Sequence, residues 1–247
     1  MKIRFSVLAI GLMCGTTNSW ADDALVAVAN NFYGPMKQLA HDFESISPHH
    51  IAISTGSTGQ LYVQIMQGAP FDLFFAADNI RPRKLVKAGK AFNEFTYAKG
   101  TLVLWSEQPD LNVKKMLSAG RYDHLAMANP QVAPYGVAAK EALEKMHLYQ
   151  QTQKKLVLGK GLNPTYQFVV TGNAELGFIA KSQVYNQTYK KGSYWEVPRQ
   201  DYSEIKQDAV TLPSGQQNIA VKSFLAYLQS ARAQKIVQNY GYLGNGS

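Results

Sequence analysis

From residue 24 onward the chain alternates strand-length apolar runs with amphipathic helical patterns, and this restricts its fold more than any other feature. The run ALVAVA at 24–29 leads into a helical pattern over about 34–44, and HIAIST at 50–55 follows. That is βαβ grammar, in which a helix returns the chain to a strand parallel with the first. A second helical pattern begins near Gln60, carries Leu61, Ile65 and Met66 at helical spacing, and ends at Gly68; Pro70 and the strand FDLFFAA come next. Further strands are expected in GTLVLWS at 100–106, HLAMANP at 124–130, AELGFIA at 174–180 and DAVTLP at 208–213, with helices over about 137–146 and 217–229. The fold class is therefore α/β. A chain of 247 residues approaches the size at which single cores divide, so two doubly wound lobes joined by crossover strands are expected. Stretches 97–106 and 205–212 are read as the crossovers, which puts 22–100 and 206–247 in lobe 1 and 101–205 in lobe 2.

Residues 1–21 stand apart. Met1, Lys2 and Arg4 make a positive end, residues 5–13 an apolar run, and Ser19-Trp20-Ala21 a small-x-small site, the pattern of a signal peptide cleaved after Ala21. The run is far short of the roughly 20 residues a spanning helix needs. Cys14, the only cysteine, lies in this leader, and bulky Met13 beside it spoils a lipoprotein processing site. A cysteine-free exported chain relies on its core, which favours a bacterial periplasm. Loss of Lys2 and Arg4 leaves 23 basic residues against 17 acidic, a formal charge of +6. The lysines are scattered and no basic run is interleaved with aromatics, so no nucleic acid is expected as a partner; small anions or mere solubility explain the surplus.

In open α/β sheets ligands sit beyond the carboxyl ends of strands, beside helix N-termini. Four junctions of this kind stand out. In VANNFYGPM, Asn30 and Asn31 follow a strand and precede Pro35, an arrangement that would also serve as a plain helix cap. In TGSTG, two glycines allow close backbone approach while Ser57 and Thr58 add hydroxyls at a helix start. The Lys of a Walker loop is absent there, and so is the spacing of a hydrolase elbow; a ligand-free turn would use the same residues. In NPQVAPYGVAAKEALEKM, Tyr135 stands at the mouth of a helix, as a hydroxyl donor or as a packed aromatic. In GKGLNPTYQFVVTGNAELGF, the amides near Leu162 point outward whatever the side chain.

Taken in order, ANNFYGPMKQLAHDFE, GSTGQLYVQIMQGAPFDLFFAAD, FTYAKGTLVLWS, ANPQVAPYGVAAKEAL, TGNAELGFIA and VKSFLAYLQSARAQKIVQNYGY cover the mature chain, which resembles the periplasmic molybdate-binding proteins of ABC importers. The resemblance implies a periplasmic binding protein of the type II-like, two-lobed kind. It implies capture of molybdate or tungstate in the interlobe cleft, delivery to the membrane permease of an ABC importer, a monomeric state, no cofactor and no catalysis. Carried over by motif, the donors would be Asn31, Thr58 with neighbouring Ser57, the Tyr135 hydroxyl and the Leu162 amide, with Asn30 lining the same mouth. Some relatives draw a tyrosine hydroxyl from the position after the LGF strand, where this chain has Ala180; Tyr135 is then expected to take that part.

The motifs suit such a ligand. None places a carboxylate at the strand-to-helix junction itself, and Lys160 is the one cation among the first contacts there, so a doubly charged oxyanion would be held by neutral donors and helix N-termini. Enzyme readings fare worse. His41, His49, His50, His124 and His147 show no zinc spacing, and His49-His50 reads as a surface turn after Pro48. Asp72 and Asp78 read as capping or hinge residues without a nearby nucleophile. The rival is a periplasmic hydrolase acting on a phosphate or sulfate ester, and a binder of an organic solute would need aromatic or charged groups that the motifs lack.

Overall fold

The computed structural model describes residues 22–184 and 192–243; the leader at 1–21, with Cys14, lies outside the described residues. In chain order the strands are β1 Asp23–Ala29, β2 His50–Gly56, β3 Leu73–Phe75, β4 Phe92–Gly100, β5 Leu102–Ser106, β6 Leu125–Ala128, β7 Leu156–Gly159, β8 Leu176–Ala180, β9 Ser193–Glu196 and β10 Ile205–Thr211. The helices are α1 Tyr33–Glu44, α2 Thr58–Met66, α3 Ile80–Lys87, α4 Val113–Ser118, α5 Pro134–Lys145, α6 Tyr149–Thr152, α7 Leu162–Val170, α8 Lys181–Val184, α9 Ile219–Leu228 and α10 Ala231–Gln238.

Two five-stranded sheets result, ordered β2-β1-β3-β10-β4 and β7-β6-β8-β5-β9. In the first, β1 runs parallel with β2 from Asp23↔His50 to Ala29↔Gly56 and with β3, while β10 is antiparallel to β3 and β4. In the second, β6 is parallel with β7 and β8, and β5 is antiparallel to β8 and β9. Thr101 alone separates the last strand of the first sheet from the opening strand of the second, and β10 brings the chain back. The fold is α/β with two lobes.

Strand β1 is short-chained and apolar because helices cover both its faces. Val26 and Val28 pack with Phe32, Met36 and Phe75 on one side, and Ala27 packs with Leu61, Phe74 and Val210 on the other. Each such buried Leu, Phe or Val contributes about 1.5–3 kcal/mol relative to exposure.

Helices α2 and α5 start earlier than the periodicity indicates, because their first turns carry caps, whereas α9 starts later, at Ile219. Ser57 caps α2 in a capping box with Gln60, and Pro134, at the head of α5, supplies a preset φ. The third strand is shorter than FDLFFAA: Asp72 turns its backbone N–H to Leu25 O at 2.8 Å and accepts Leu25 N–H on Oδ2 at 2.7 Å, outside the ladder. His49 is buried, accepting the Asp22 N–H on Nδ1, and His50 opens β2, so the pair is no surface turn.

Candidate functional site

Four strands of parallel pairs end at one place. After β1 the chain makes a 3-10 turn at Asn30–Phe32 before α1; Phe32 is the N-cap and neither asparagine side chain caps the helix. Asn30 Oδ1 accepts from Thr55 Oγ1 at 3.0 Å instead. After β2, the Ser57 N–H and O–H both go to Gln60 Oε1, at 3.2 and 2.8 Å, so the donors of Ser57 are committed to capping. Thr58 differs. Its Oγ1 accepts the Ala77 N–H at 3.0 Å, and no bond described here uses its proton. After β6 a turn leads to Pro134 and Tyr135 at the start of α5, and after β7 Gly161 is the N-cap of α7, without a side-chain cap for the Leu162 turn. Gly161 is required by close approach: a Cβ there would lie 2.4 Å from Asn30 Nδ2.

These junctions enclose a cavity lined by Ala29, Asn30, Asn31, Ser57, Thr58, Ala77, Ala133, Pro134, Tyr135 and Leu162. All six residues singled out from the sequence therefore share one cavity, and none is more than 9 % exposed. The free space inside is about that of one water. A wider groove of about 660 Å3, lined by Tyr33, Lys37, Asn163, Tyr166 and Gln183 among others, adjoins it through Asn30 and Asn31. No Lys, Arg, Asp or Glu lines the inner cavity, and Lys160 is exposed. Its positive potential comes from backbone: each helix start carries roughly half a unit of positive charge and unsatisfied N–H groups.

Behind the cavity lies a polar network that no local motif announces. Gln207 on β10 donates from Nε2 to Tyr135 Oη at 3.3 Å, and its Oε1 accepts from Asn31 Nδ2 at 2.7 Å and Tyr97 Oη at 2.9 Å. Asn31 Nδ2 also donates to Tyr242 Oη at 2.9 Å, and Tyr242 Oη and Ser182 Oγ both donate to Asn31 O, at 2.8 and 2.7 Å. Asn31 is thus a buried hub rather than an exposed helix start, and its Oδ1 has no partner. Burial pushes the phenols of Tyr97, Tyr135 and Tyr242 upward, so all three stay protonated at neutral pH. Gln207 and Asp208, which lead directly into the apolar pair Ala209 and Val210 of the strand IKQDAVT, are the signal that could have found this network.

The lobes also touch directly. Gly59 N donates to Val132 O at 2.9 Å, and Arg81 Nη2 to Gln131 O at 3.3 Å. The candidate acids of a hydrolase are occupied elsewhere: Asp72 holds Leu25, and Asp78, just ahead of the Asn79 N-cap of α3, accepts the Arg81 N–H at 2.9 Å and pairs with the Arg81 guanidinium. No cluster of metal-ligating side chains occurs among the described residues.

Residues 24–243 match the family model described as bacterial extracellular solute-binding protein. The chain is 44% identical to the molybdate-binding protein ModA of Azotobacter vinelandii, over 98% of this chain and 99% of that protein. It is 40% identical to the molybdate-binding protein ModA of Rhodobacter capsulatus, over 98% and 96%. Its fold superimposes on the solved periplasmic molybdate-binding protein of Azotobacter vinelandii with a TM-score of 0.85 and 36% identity, covering 89% of this chain and 98% of that one. From its strand order to its interlobe cavity, the chain belongs to the family of bacterial extracellular solute-binding proteins.

Proposed function

We propose that this protein captures molybdate, or the nearly isometric tungstate, in the interlobe cavity and hands it to the membrane permease of an ABC importer. The observation that carries the reading is a small, buried cavity lined only by neutral donors and helix starts. Full-length relatives named for molybdate binding support the same ligand. A fully deprotonated tetrahedral oxyanion needs donors alone, whereas phosphate, partly protonated near neutral pH, would profit from a carboxylate acceptor. Sulfate is smaller and would make longer, weaker hydrogen bonds with lobes closed around the larger molybdate.

The donors are the Thr58 and Tyr135 hydroxyls and the backbone amides at Asn31 and Leu162, with Asn30 and Ser57 shaping the wall. Two lobes, 22–100 with 206–247 and 101–205, close on the ion; binding without turnover, a monomer, a leader cleaved after Ala21 and a periplasmic location complete the reading. Calorimetric titration of the mature chain with molybdate, tungstate, chromate, sulfate and phosphate tests it. Tight binding of the first two alone is expected; preference for phosphate or sulfate would sink it.

A further inference from the structure

Gln207 is fully buried in a strand of the first sheet, yet its carboxamide reaches Tyr135 at the head of a helix of the second lobe. We propose that Gln207 is a positioning residue for oxyanion binding, which by donating to Tyr135 Oη directs that phenol's proton into the cavity. The proposal rests on the molybdate reading above.

The donor pattern follows from what the carboxamide oxygen already holds. Gln207 Oε1 accepts from Asn31 Nδ2 at 2.7 Å and lies 2.9 Å from Tyr97 Oη, whose one proton it shares with Ala76 O at 2.8 Å, so Nε2 is the end left for Tyr135. A phenol has one proton, and an oxygen that receives a hydrogen bond keeps that proton for another acceptor. For Tyr135 the acceptors in reach are Tyr242 Oη, which already receives Asn31 Nδ2, and the anion in the cavity that Tyr135 lines, and a full negative charge makes the anion the stronger acceptor. Gly100 sets the approach of the two groups, since a Cβ there would lie 2.3 Å from Tyr135 Oη and 2.5 Å from Gln207 Nε2.

A competing arrangement defines the test. Rotating the Asn31 and Gln207 carboxamides together by half a turn keeps the heavy atoms in place and gives the orphaned Asn31 Oδ1 a donor in Gln207 Nε2. Gln207 would then take the Tyr135 proton, and Tyr135 would give the ligand nothing. The two patterns are mutually exclusive.

The experiment is calorimetric titration with molybdate of the parent, Tyr135→Phe, Gln207→Leu and the double variant, each at its measured thermal midpoint margin. Each single substitution is expected to cost about tenfold in affinity, the scale of one hydrogen bond to a charged ligand. In the Tyr135→Phe background, Gln207→Leu is expected to cost less than about threefold more, because the bond it serves is already gone. Gln207→Glu, nearly isosteric, covers the case in which the leucine variant does not fold. It still accepts from Asn31 and Tyr97 but draws the Tyr135 proton away, so its affinity should be weak at pH 8 and recover toward pH 5 as the new carboxyl regains a donor; with Tyr135→Phe added, that recovery should shrink. Losses that simply multiply in the double variant, or parental affinity in Tyr135→Phe, would overturn the proposal. A parent that does not bind molybdate would overturn the ligand reading itself and the proposal with it.

Discussion

Thr58 Oγ1 accepts the backbone N–H of Ala77 at 3.0 Å, which ties the first turn of α2 to the end of the neighbouring strand and leaves the hydroxyl proton for the cavity. Thr58→Ala should therefore weaken molybdate binding by about 1.5–3 kcal/mol, roughly tenfold or more, while Thr58→Ser stays near the parent. Calorimetry reads both. Equal affinity in the alanine variant would remove Thr58 from the donor set.

Gly161 faces Asn30 across the lobes, and its missing side chain is what lets them meet. A Cβ there would also lie 3.2 Å from Ser57 Cβ. Gly161→Ala should hold the lobes apart, costing about tenfold in affinity while the unliganded thermal midpoint moves little, because the clash exists only in the closed arrangement. Small-angle scattering with saturating ligand should show a less compact variant; a parental curve and parental affinity would contradict this.

The fold was legible because its strands are apolar runs of a length helices rarely have, and because small polar residues mark where each strand meets a helix. The candidate site was legible for the same reason: Asn30, Asn31, Ser57, Thr58, Tyr135 and Leu162 all lie within a residue or two of a helix start. What lay hidden was the layer behind them. Asn31 meets Gln207 across 176 residues of sequence and Tyr242 across 211, and no local pattern encodes such pairs. Strand β9 escaped notice because SYWE is a four-residue edge strand, half-exposed and too short to show alternation.

Three buried tyrosines give the alkaline limb of stability its sign. Burial raises the folded-state pKa of Tyr97, Tyr135 and Tyr242 above the ordinary phenol value of about 10. The unfolded chain therefore releases these protons first. Their stabilising effect is fully present below about pH 10 and is lost as pH rises from there through the folded values. The thermal midpoint should fall steeply above pH 10, and less steeply in Tyr97→Phe, whereas binding should be flat from pH 6 to 9 because nothing lining the cavity titrates there. A midpoint in Tyr97→Phe that falls as steeply as the parent's would count against this account.

Gly100, the last residue of β4, lies where the chain is about to leave the first sheet, and it faces Tyr135 and Gln207 at once. The 2.3 and 2.5 Å separations that a Cβ would have from Tyr135 Oη and Gln207 Nε2 are well below van der Waals contact, so Gly100→Ala must displace one or both. Both are buried in close-packed surroundings, where such overpacking costs about 1–3 kcal/mol. Gly100→Ala is therefore expected to lower thermal stability and molybdate affinity together. Adding Tyr135→Phe removes the oxygen that clashes worst and leaves the ring carbon Cζ at 3.0 Å, so stability should partly recover. Affinity should not recover, because the hydroxyl that served the ligand is gone. Recovery of both would mean that the ring alone matters to the site, and recovery of neither would place the damage at Gln207.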